Sequence, residues 1–392
     1  MSLPKRKNHQ KDEVAVDVAS ESTKTMHLVL QHGVKEPAYS VYKVDAAAAG
    51  CRRARHLIRL RASQHGMSFV AVHSKPGSWI VGVGGVERPS TIIYDPSTHE
   101  EFQGPRPKSA GIDPVLISRS GKPYSISRRP FFKVNPDVVH VSWFQCLSFK
   151  KGLGVSFWED LDPPPFFPAR LTPRQWLNPP DICVLSYAAV GSYILLSPEH
   201  QPGGTFAYHV REETWTKIHE KNLPFLGDAV PLGGDYFASR SKSSSAMAVF
   251  YLAVDESSVP ARLSVMEFTV PSENRIPGQL LCPLGGTSFC AIDLKCSSPS
   301  SQSGMLKTAQ IILTTCQMNI NLTHSEAQVI VKEHRPIYRF RDQARCLPSP
   351  MPVVAALHMD TEMTDVLEEK PRKKRAAPPL IRAPMIRTET TK

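Results

Sequence analysis

The sequence lacks the features that mark membrane proteins and structural metal sites. No apolar run reaches the ~18 residues that would span a bilayer, and no hydrophobic secretory segment follows the basic residues near the start. The cysteines form no CxxC pair and show no Cys/His zinc-ligand spacing, which favours free thiols in a reducing compartment. We therefore expect a soluble intracellular protein without membrane association. The eight cysteines are Cys51, Cys146, Cys183, Cys282, Cys290, Cys296, Cys316 and Cys346.

Recognisable catalytic and cofactor-binding motifs are also missing. Gly82-Val83-Gly84-Gly85 is half of a dinucleotide-binding fingerprint and no helical pattern follows it, while Gly121-Lys122 lacks the flanking residues of a phosphate loop. The fourteen histidines include no HExxH motif. Asp160 and Asp162 stand just before three prolines, which favours a turn over a paired acid and base. The sequence therefore predicts no enzyme, with no catalytic residues, no metal and no cofactor.

Amphipathic helices are hard to find in this sequence, whereas proline is abundant. The 35 prolines make up about 9% of the chain, against roughly 5% in average proteins, and proline is excluded from helix interiors. Short apolar runs bounded by Gly, Pro, Asp or Ser are typical of β-strands, and Ser68–Val72, Thr91–Tyr94 and Tyr193–Leu196 are examples. Composition and runs together predict an all-β fold.

An internal repeat indicates which all-β architecture to expect. The segments 77–80 and 91–94 (Gly-Ser-Trp-Ile and Thr-Ile-Ile-Tyr) match 191–194 and 205–208 (Gly-Ser-Tyr-Ile and Thr-Phe-Ala-Tyr) at one constant offset along the chain. A third copy lies between them, at Cys146–Phe149 and Phe157–Leu161. The intervals from Phe102 to Trp158 and from Trp158 to Trp215 are consequently almost equal. Their length indicates a unit of about 57 residues, somewhat above the ~50 of kelch repeats.

A repeat of this length predicts a β-propeller, in which each blade buries its faces against its neighbours. Residues 26–358 have room for about six such units, so we expect a kelch-like propeller of about six four-stranded blades. The aromatic positions of the repeat should pack between the sheets. These positions are Trp79, Tyr94, Phe102, Trp158, Tyr193, Tyr208 and Trp215. An unrelated β-sandwich with a coincidental internal match is the alternative.

The formal net charge of +11 is concentrated at the two ends of the chain. Residues 1–11 contribute +4 and residues 370–392 contribute +7, so residues 12–369 are formally neutral. Net charge therefore does not imply a uniformly basic binding face on the folded body. One local exception is a cluster of five arginines, Arg52, Arg53, Arg55, Arg59 and Arg61.

Both ends of the chain differ from the middle in composition. Residues 1–25 are charged and polar, and residues 359–392 combine prolines with a basic run, so both are predicted to be disordered tails around a propeller at 26–358. The second tail contains a basic cluster that suits a nuclear import signal or a loose nucleic-acid contact. Its members are Lys370, Arg372, Lys373, Lys374 and Arg375. A tail that is merely solubilising is the alternative, and the expected location is the nucleus or the cytoplasm, with the nucleus slightly favoured.

At its blade motifs the sequence resembles a plant family, expanded in grasses, of uncharacterised kelch-like or galactose-oxidase-like propellers. The resemblance covers residues 26 to 358 and implies a propeller fold, while the family brings no established activity. The matching segments are Leu28–Leu30, Tyr39–Asp45, Ile93–Pro96, Gly104–Pro107, Trp158–Phe166, Thr205–Tyr208, Trp215, Pro224–Phe225 and Gly227–Ala229. The double glycine of kelch repeats is matched only loosely, at 84–85, 203–204, 233–234 and 285–286.

Two functions stay open on the sequence alone. Variable loops on a rigid ring suit a non-enzymatic protein-interaction scaffold with unknown partners, to which the arginine cluster or the 297–304 loop could contribute. The alternative is a small-molecule or metal binder, or an enzyme, that uses the central channel. It requires convergent polar residues at channel-facing strand starts, and none occur at matched repeat positions. Nucleic-acid association through the basic tails is a weaker third option.

Overall fold

The computed structural model describes residues 24–359, apart from short gaps, as a succession of β-strands with one short helix. The gaps are 34, 62–63, 76, 86–87, 109–110, 131–141, 151–154, 169–172, 179, 201–202, 269, 271–275, 277–279, 296–304, 322–325, 332–334, 343 and 349–350. Nearly all of both predicted tails, including the basic cluster at 370–375, therefore lies outside the described residues, as does the 297–304 loop.

The first five blades of the structure are four-stranded sheets, of which the fourth and fifth are joined through their first strands. Sheet 1 takes three strands from the start of the chain, β1 (Thr25–His32), β2 (Ala38–Asp45) and β4 (Arg55–Leu60), with β3 (Cys51–Arg53) preceding β4 in the chain. Sheets 2 and 3 are β5 (Met67–Ser74), β6 (Gly77–Gly84), β7 (Ser90–Asp95), β8 (Glu100–Gln103) and β9 (Val115–Arg119), β10 (Lys122–Ile126), β11 (Phe144–Lys150), β12 (Val155–Asp160). After the helix α1 (Pro173–Leu177), sheets 4 and 5 are β13 (Val184–Val190), β14 (Tyr193–Pro198), β15 (Thr205–His209), β16 (Thr214–His219) and β17 (Phe225–Pro231), β18 (Tyr236–Ser241), β19 (Met247–Asp255), β20 (Arg262–Phe268).

The sixth sheet has a divided outer position. Its strands and the small pair beside it are β21 (Leu280–Pro283), β22 (Ser288–Leu294), β23 (Met305–Leu306), β24 (Thr308–Asn321), β25 (Glu326–Val331), β26 (Ile337–Arg341) and β27 (Leu347–Pro348). The long β24 pairs with β22 on one side and with both β25 and β26 on the other, and β23 pairs with β27. The last strand, β28 (Val353–Leu357), returns to the first sheet and pairs with β1.

The six sheets are the blades of a closed propeller. Each blade has an inner strand, which is β28, β5, β9, β13, β17 and β21 in blades 1 to 6, and each inner strand contacts the inner strands of its two neighbours. Blade 1 combines β28 from the end of this region with three strands from its start, and Val29 lies opposite Ala355 in the joining ladder. The prediction of an all-β propeller with about six four-stranded blades is confirmed.

The hydrophobic core lies between the blades. Among the described residues the buried apolar side chains form six clusters, and each cluster joins two neighbouring blades. Strands such as β7 (Ser-Thr-Ile-Ile-Tyr-Asp) bury four consecutive side chains, since both faces of a blade are covered. This is why the strands appear in the sequence as short continuous apolar runs.

The internal repeat corresponds to equivalent places in blades 2, 3 and 4. Trp79 and Tyr193 lie on second strands, and Tyr94 and Tyr208 lie on third strands with side chains that are fully buried. Phe102, Trp158 and Trp215 all lie on outermost strands. Around the whole ring the inner strands begin at unequal intervals, with a short step from β13 to β17 and a long one from β21 to β28. Differing connection lengths therefore hide the repeat elsewhere in the sequence.

The two faces of the ring carry connections of different length. Connections from second to third strands and from one blade to the next meet where the inner strands begin, and the longest of them run over 127–143 and 161–183. On the opposite face most connections are short turns, such as the one between β9 and β10. We call these the long-loop face and the short-loop face. Ligand sites concentrate in long loops that a rigid scaffold positions.

The four double glycines do not occupy one common blade position. The pair 84–85 lies at the end of the second strand of blade 2 and the pair 203–204 follows the second strand of blade 4. The pairs 233–234 and 285–286 lie in the turns between the first and second strands of blades 5 and 6. In those turns both glycines have positive φ, at 89° and 56° in the first pair, and glycine adopts such angles without steric cost. Turn geometry therefore explains the second two pairs.

Candidate functional site

The predicted arginine cluster is divided between two blades. Arg52 and Arg53 lie on β3, which pairs in parallel with β26 and extends the outer edge of blade 6. Arg55 and Arg59 lie on β4, the outermost strand of blade 1, and Arg61 follows it. All five side chains are exposed, and none forms an ion pair with a carboxylate of the described residues.

A groove between blades 1 and 2 brings part of this cluster together with Lys43. In the ladders of blade 1, Leu357 lies opposite His27, His27 opposite Lys43, and Lys43 opposite Arg55. Residues opposite each other in antiparallel strands project their side chains from the same face. The row therefore crosses blade 1 from its inner to its outermost strand on one face.

The groove consists of two adjoining cavities of about 270 and 510 Å3 that share His99. We call it the basic groove. Its lining residues are His27, Lys43, Arg55, Leu57, Ile58, Arg59, Arg61, Ser78, Pro96, Ser97, His99, Glu100, Glu101, Phe102 and Met359. Arg52 and Arg53 are not among them.

The electrostatic balance of the basic groove is positive. Lys43 and three arginines face two carboxylates, Glu100 and Glu101. One of these carboxylates is already engaged, since the backbone N–H of Arg61 donates to both oxygens of Glu101 at 3.1 Å. Partial burial, together with the Arg59 guanidinium, lowers the pKa of His56 on the same strand. The groove therefore offers cationic groups whose charge is only partly neutralised.

The basic groove also borders exposed backbone. β4 and β8 are the outermost strands of blades 1 and 2, so one edge of each strand has no described strand beside it. Such an edge leaves a row of N–H and C=O groups for pairing with an added strand. The groove can thus bind both the side chains and the backbone of an extended segment.

A second group of polar side chains lies at the channel, towards the long-loop face. Arg128 follows β10 in blade 3, and its guanidinium carbon lies 5.7 Å from the centre of the Tyr187 ring on the inner strand of blade 4. Arg128 Nε donates to the carbonyl of Asp113 at 2.9 Å, and the Arg128 carbonyl accepts from the Val184 N–H at 2.8 Å. Tyr187 in turn pairs with Asp228 on the inner strand of blade 5. Three blades therefore contribute to this group, which we call the channel cluster.

Asp228 owes its position to an irregularity in β17. The register between β17 and β18 shifts between Leu226 and Val230, and Gly227 has a φ of 74°. The segment consequently leaves β18 and pairs in parallel with β13. Bulges of this kind re-aim side chains and are common next to functional sites. Asp228 is the only acidic residue in the six inner strands.

The surroundings of the channel cluster shift its acid–base equilibria. Asp228 is exposed to the channel, but protein surrounds its carboxyl and partly desolvates it. This desolvation raises the pKa of the carboxyl to about 7. The Ala229 N–H and the Arg128 guanidinium lower the same pKa by smaller amounts. Desolvation, reinforced by Asp228, raises the pKa of Tyr187 to about 12. Perturbed carboxyls in clefts are candidates for ligand contact. The channel cluster was missed at the sequence level because its members share no repeat position, although an aspartate after glycine in an apolar strand was a usable signal.

The remaining predicted polar sites have structural explanations. Asp160, at the end of β12, accepts hydrogen bonds from Lys108, Ser142 and Gln145, so its carboxylate links two connections of blades 2 and 3. Within the described ranges, no group of three or more His, Cys, Asp or Glu side chains could hold a metal ion. The seven described cysteines are free, and burial raises the pKa of Cys282, Cys290 and Cys316. No helix in the described part of the chain is long and apolar enough to cross a membrane.

Comparisons with known proteins identify a family and provide no assigned activity. The family described as "Protein of unknown function (DUF1668)" matches residues 23–338. No curated protein matches the sequence. Among solved structures, the one described as "Structure of YjhT" aligns with a TM-score of 0.39 at 10% identity, over 78% of this chain and 97% of that chain. The family match ends within β26, so the ring-closing strand β28 lies beyond it.

Proposed function

We propose that this chain, which belongs to the DUF1668 family, is a non-enzymatic interaction scaffold whose basic groove binds an acidic, extended segment of a partner protein. The observation that carries the proposal is the groove between blades 1 and 2, in which the guanidinium groups of Arg55, Arg59 and Arg61 form no ion pair with a carboxylate of the described residues. Arginine presents five donors in a planar fork that matches carboxylates.

The free strand edges beside the groove favour an extended ligand. A segment that adds to the edge of β4 satisfies backbone groups that otherwise face solvent. Its side chains then alternate between the groove and solvent, so every second one projects from the face of blade 1 that carries Lys43 and Arg55. This geometry supports recognition of an acidic strand and disfavours an acidic helix.

A labelled ten-residue polyglutamate peptide tests the proposal against full-length chains in which the five carboxylates of residues 360–369 are replaced by amides, so that no acidic segment of the chain itself competes with the peptide. Replacement of the two strand arginines (Arg55→Gln with Arg59→Gln) should weaken binding about tenfold, because each exposed charge contact contributes up to ~1 kcal/mol. The matched control replaces two exposed arginines of blades 4 and 5 (Arg211→Gln with Arg262→Gln) and should leave Kd within twofold. Binding should also weaken as salt rises, since exposed charges are screened.

Three results would contradict this function. One is an unchanged Kd in the groove variant, and another is an equal loss in the control variant. The third is tighter binding of a single-stranded oligonucleotide than of the peptide, because that result would assign the groove to nucleic acid.

The channel cluster supports a second candidate function, the binding of a small polar molecule in the central channel. Asp228 is the observation that favours it, because a carboxyl whose pKa is raised to about 7 stands exposed beside Arg128 and Tyr187. Native mass spectrometry of the purified full chain tests this candidate. A co-purified molecule that is lost in both Asp228→Asn and Arg128→Gln supports it, whereas the protein mass alone opposes it.

The location and the type of repeat belong to the same set of proposals. We propose that the basic cluster at 370–375 acts as a nuclear import signal, on the strength of its charge and its bounding prolines. The kelch-like character of the blades and the plant origin rest on the sequence resemblance. The double glycines at 84–85 and 203–204 support the resemblance to kelch repeats, because they lie at or just after the ends of second strands.

A further inference from the structure

The chain leaves the ring inside the basic groove. β28 ends at Leu357, which pairs with His27, and Met359 lines the same cavity as Lys43 and Arg55. Whatever follows Met359 therefore starts next to Lys43 and Arg55.

The ten residues that follow Met359 form an acidic stretch. Residues 360–369 read Asp-Thr-Glu-Met-Thr-Asp-Val-Leu-Glu-Glu and contain no basic residue. Their carboxylates are Asp360, Glu362, Asp365, Glu368 and Glu369. The formal charge of this stretch is opposite to that of the groove where it begins.

We propose that residues 360–369 occupy the basic groove of their own chain and compete there with the acidic segment of a partner. This inference rests on the proposed function, because it requires the groove to bind acidic extended segments. Charge complementarity and the position of Met359 carry it together. Docking of the stretch masks Arg55 and Arg59 until a partner displaces it.

The length of the acidic stretch suits the groove. Ten extended residues reach about 33 Å, while the distance across blade 1 from β28 to β4 is three strand spacings, about 14 Å. The stretch can therefore cross blade 1 past Lys43 and Arg55 and continue along β4 towards Arg61. Lys370 follows directly, so the docked stretch also holds the basic cluster at 370–375 beside the ring.

Because the acidic stretch is tethered beside the basic groove, even a weak affinity is enough to keep the groove mostly occupied. A segment joined through a short linker has an effective concentration in the millimolar range. A groove that binds the free segment with a Kd of about 0.1 mM is then mostly occupied. The apparent affinity for an external ligand is reduced in proportion to the fraction of molecules whose groove is open. An apparent loss of about tenfold follows from these magnitudes.

The first test compares two full-length variants that change the same number of charges. In the tail variant the five carboxylates become amides (Asp360→Asn, Glu362→Gln, Asp365→Asn, Glu368→Gln, Glu369→Gln). In the control variant the carboxylates of five exposed acidic residues of the ring become amides instead (Glu36→Gln, Glu199→Gln, Glu212→Gln, Asp235→Asn, Glu256→Gln). The tail variant should bind the polyglutamate peptide about tenfold more tightly than the unaltered chain, and the control should stay within twofold of it.

The second test locates the docked stretch directly. A carbodiimide joins amines to carboxylates in contact, so Lys43 in the unaltered chain should cross-link to a carboxylate of residues 360–369, and the product is mapped by peptide mass spectrometry. The cross-link should disappear in 1 M salt, at which the Debye length is about 3 Å. Its presence, together with tighter binding by the tail variant, supports docking.

The outcomes separate this inference from the proposed function. Equal peptide affinity in the unaltered chain and the tail variant, with no cross-link to Lys43, overturns docking and leaves the scaffold function standing. Failure of every chain to bind the peptide overturns the scaffold function, and the cross-link then decides docking by itself.

Discussion

The indole N–H of Trp158, on the outermost strand of blade 3, donates to the carbonyl of Pro105, just beyond the outermost strand of blade 2, at 3.0 Å. The indole of Trp215 makes the same kind of bond to the carbonyl of Asp162, one blade further on, at 2.8 Å. Between the two bonds, donor and acceptor are displaced along the chain by the same number of positions. The repeat thus encodes a bond that links neighbouring blades at their outer edges.

Replacement of Trp158 by phenylalanine should destabilise the ring more than the same change at Trp215. Trp158 is buried and also donates to the fully buried hydroxyl of Thr91, whereas Trp215 is only half-buried and has a single acceptor. We expect losses of about 2–3 kcal/mol and about 1 kcal/mol, since an unsatisfied buried group adds its desolvation cost. Urea unfolding of the two variants measures the difference. Equal losses would contradict a specific role for the Trp158 indole.

Closure of the ring through β28 should dominate its stability. Replacing Ala355 by aspartate places a charge between Val29 and the core of blades 1 and 2, and we expect a loss of at least about 3 kcal/mol. The control is Val259→Asp, at a side chain that is 98% exposed, which should change stability by less than about 0.5 kcal/mol. Thermal unfolding compares the two. If Ala355→Asp lowers the stability no more than the control does, the stability of the ring does not depend on β28.

Asp228 should make the ring less stable as pH rises. Its folded pKa is raised to about 7 from 3.8, so the folded chain holds this proton more tightly than the unfolded chain, and stability falls between pH 4 and pH 7. Asp228→Asn removes this dependence. Between pH 4 and pH 7 the free energy of unfolding of the variant should rise by about 1–2 kcal/mol relative to that of the unaltered chain. This is less than the full pKa shift would give, because channel water screens the carboxyl. Urea unfolding at pH 4, 5.5 and 7 measures the trend, and parallel curves for the two chains would refute it.

Residues 360–392 should carry a fused fluorescent reporter into the nucleus. Changing Arg372, Lys373, Lys374 and Arg375 to alanine should abolish this accumulation, because import receptors read clustered positive charge. A matched control changes Arg382, Arg387 and Lys392 to alanine and leaves the cluster intact. Microscopy provides the nuclear-to-cytoplasmic ratio. A diffuse reporter in every case means that the tail does not direct import.

The fold was predictable because the repeat is strongest where large aromatic side chains recur. Trp158 and Trp215 mark equivalent outer strands, and Tyr94 and Tyr208 mark equivalent buried positions, so their spacing reveals the blade length. Aromatic residues that pack between sheets tolerate few replacements, which keeps such positions similar. Aliphatic strands elsewhere satisfy the same packing with many sequences, so blades 5 and 6 left little trace of the repeat.

The candidate sites were less predictable, because both depend on contacts between blades. The arginine cluster is continuous in sequence, yet β3 joins blade 6 and β4 joins blade 1, so only Arg55, Arg59 and Arg61 meet in the groove. Lys43 becomes their neighbour through strand pairing. In the channel cluster, Arg128 and Tyr187 come from different blades that lie far apart in the sequence, and a contact of this kind leaves no periodic signal.

Ring closure has a consequence for how the protein is made. The inner strand of blade 1 is β28, so β1, β2 and β4 have no inner partner until residue 357 has been synthesised. At roughly 5–20 residues per second, tens of seconds of elongation separate β1 from β28. Throughout that time Val29 and its neighbours expose apolar surface to solvent. A nascent chain of this protein therefore needs shielding from the synthesis of β1 until β28 has been made.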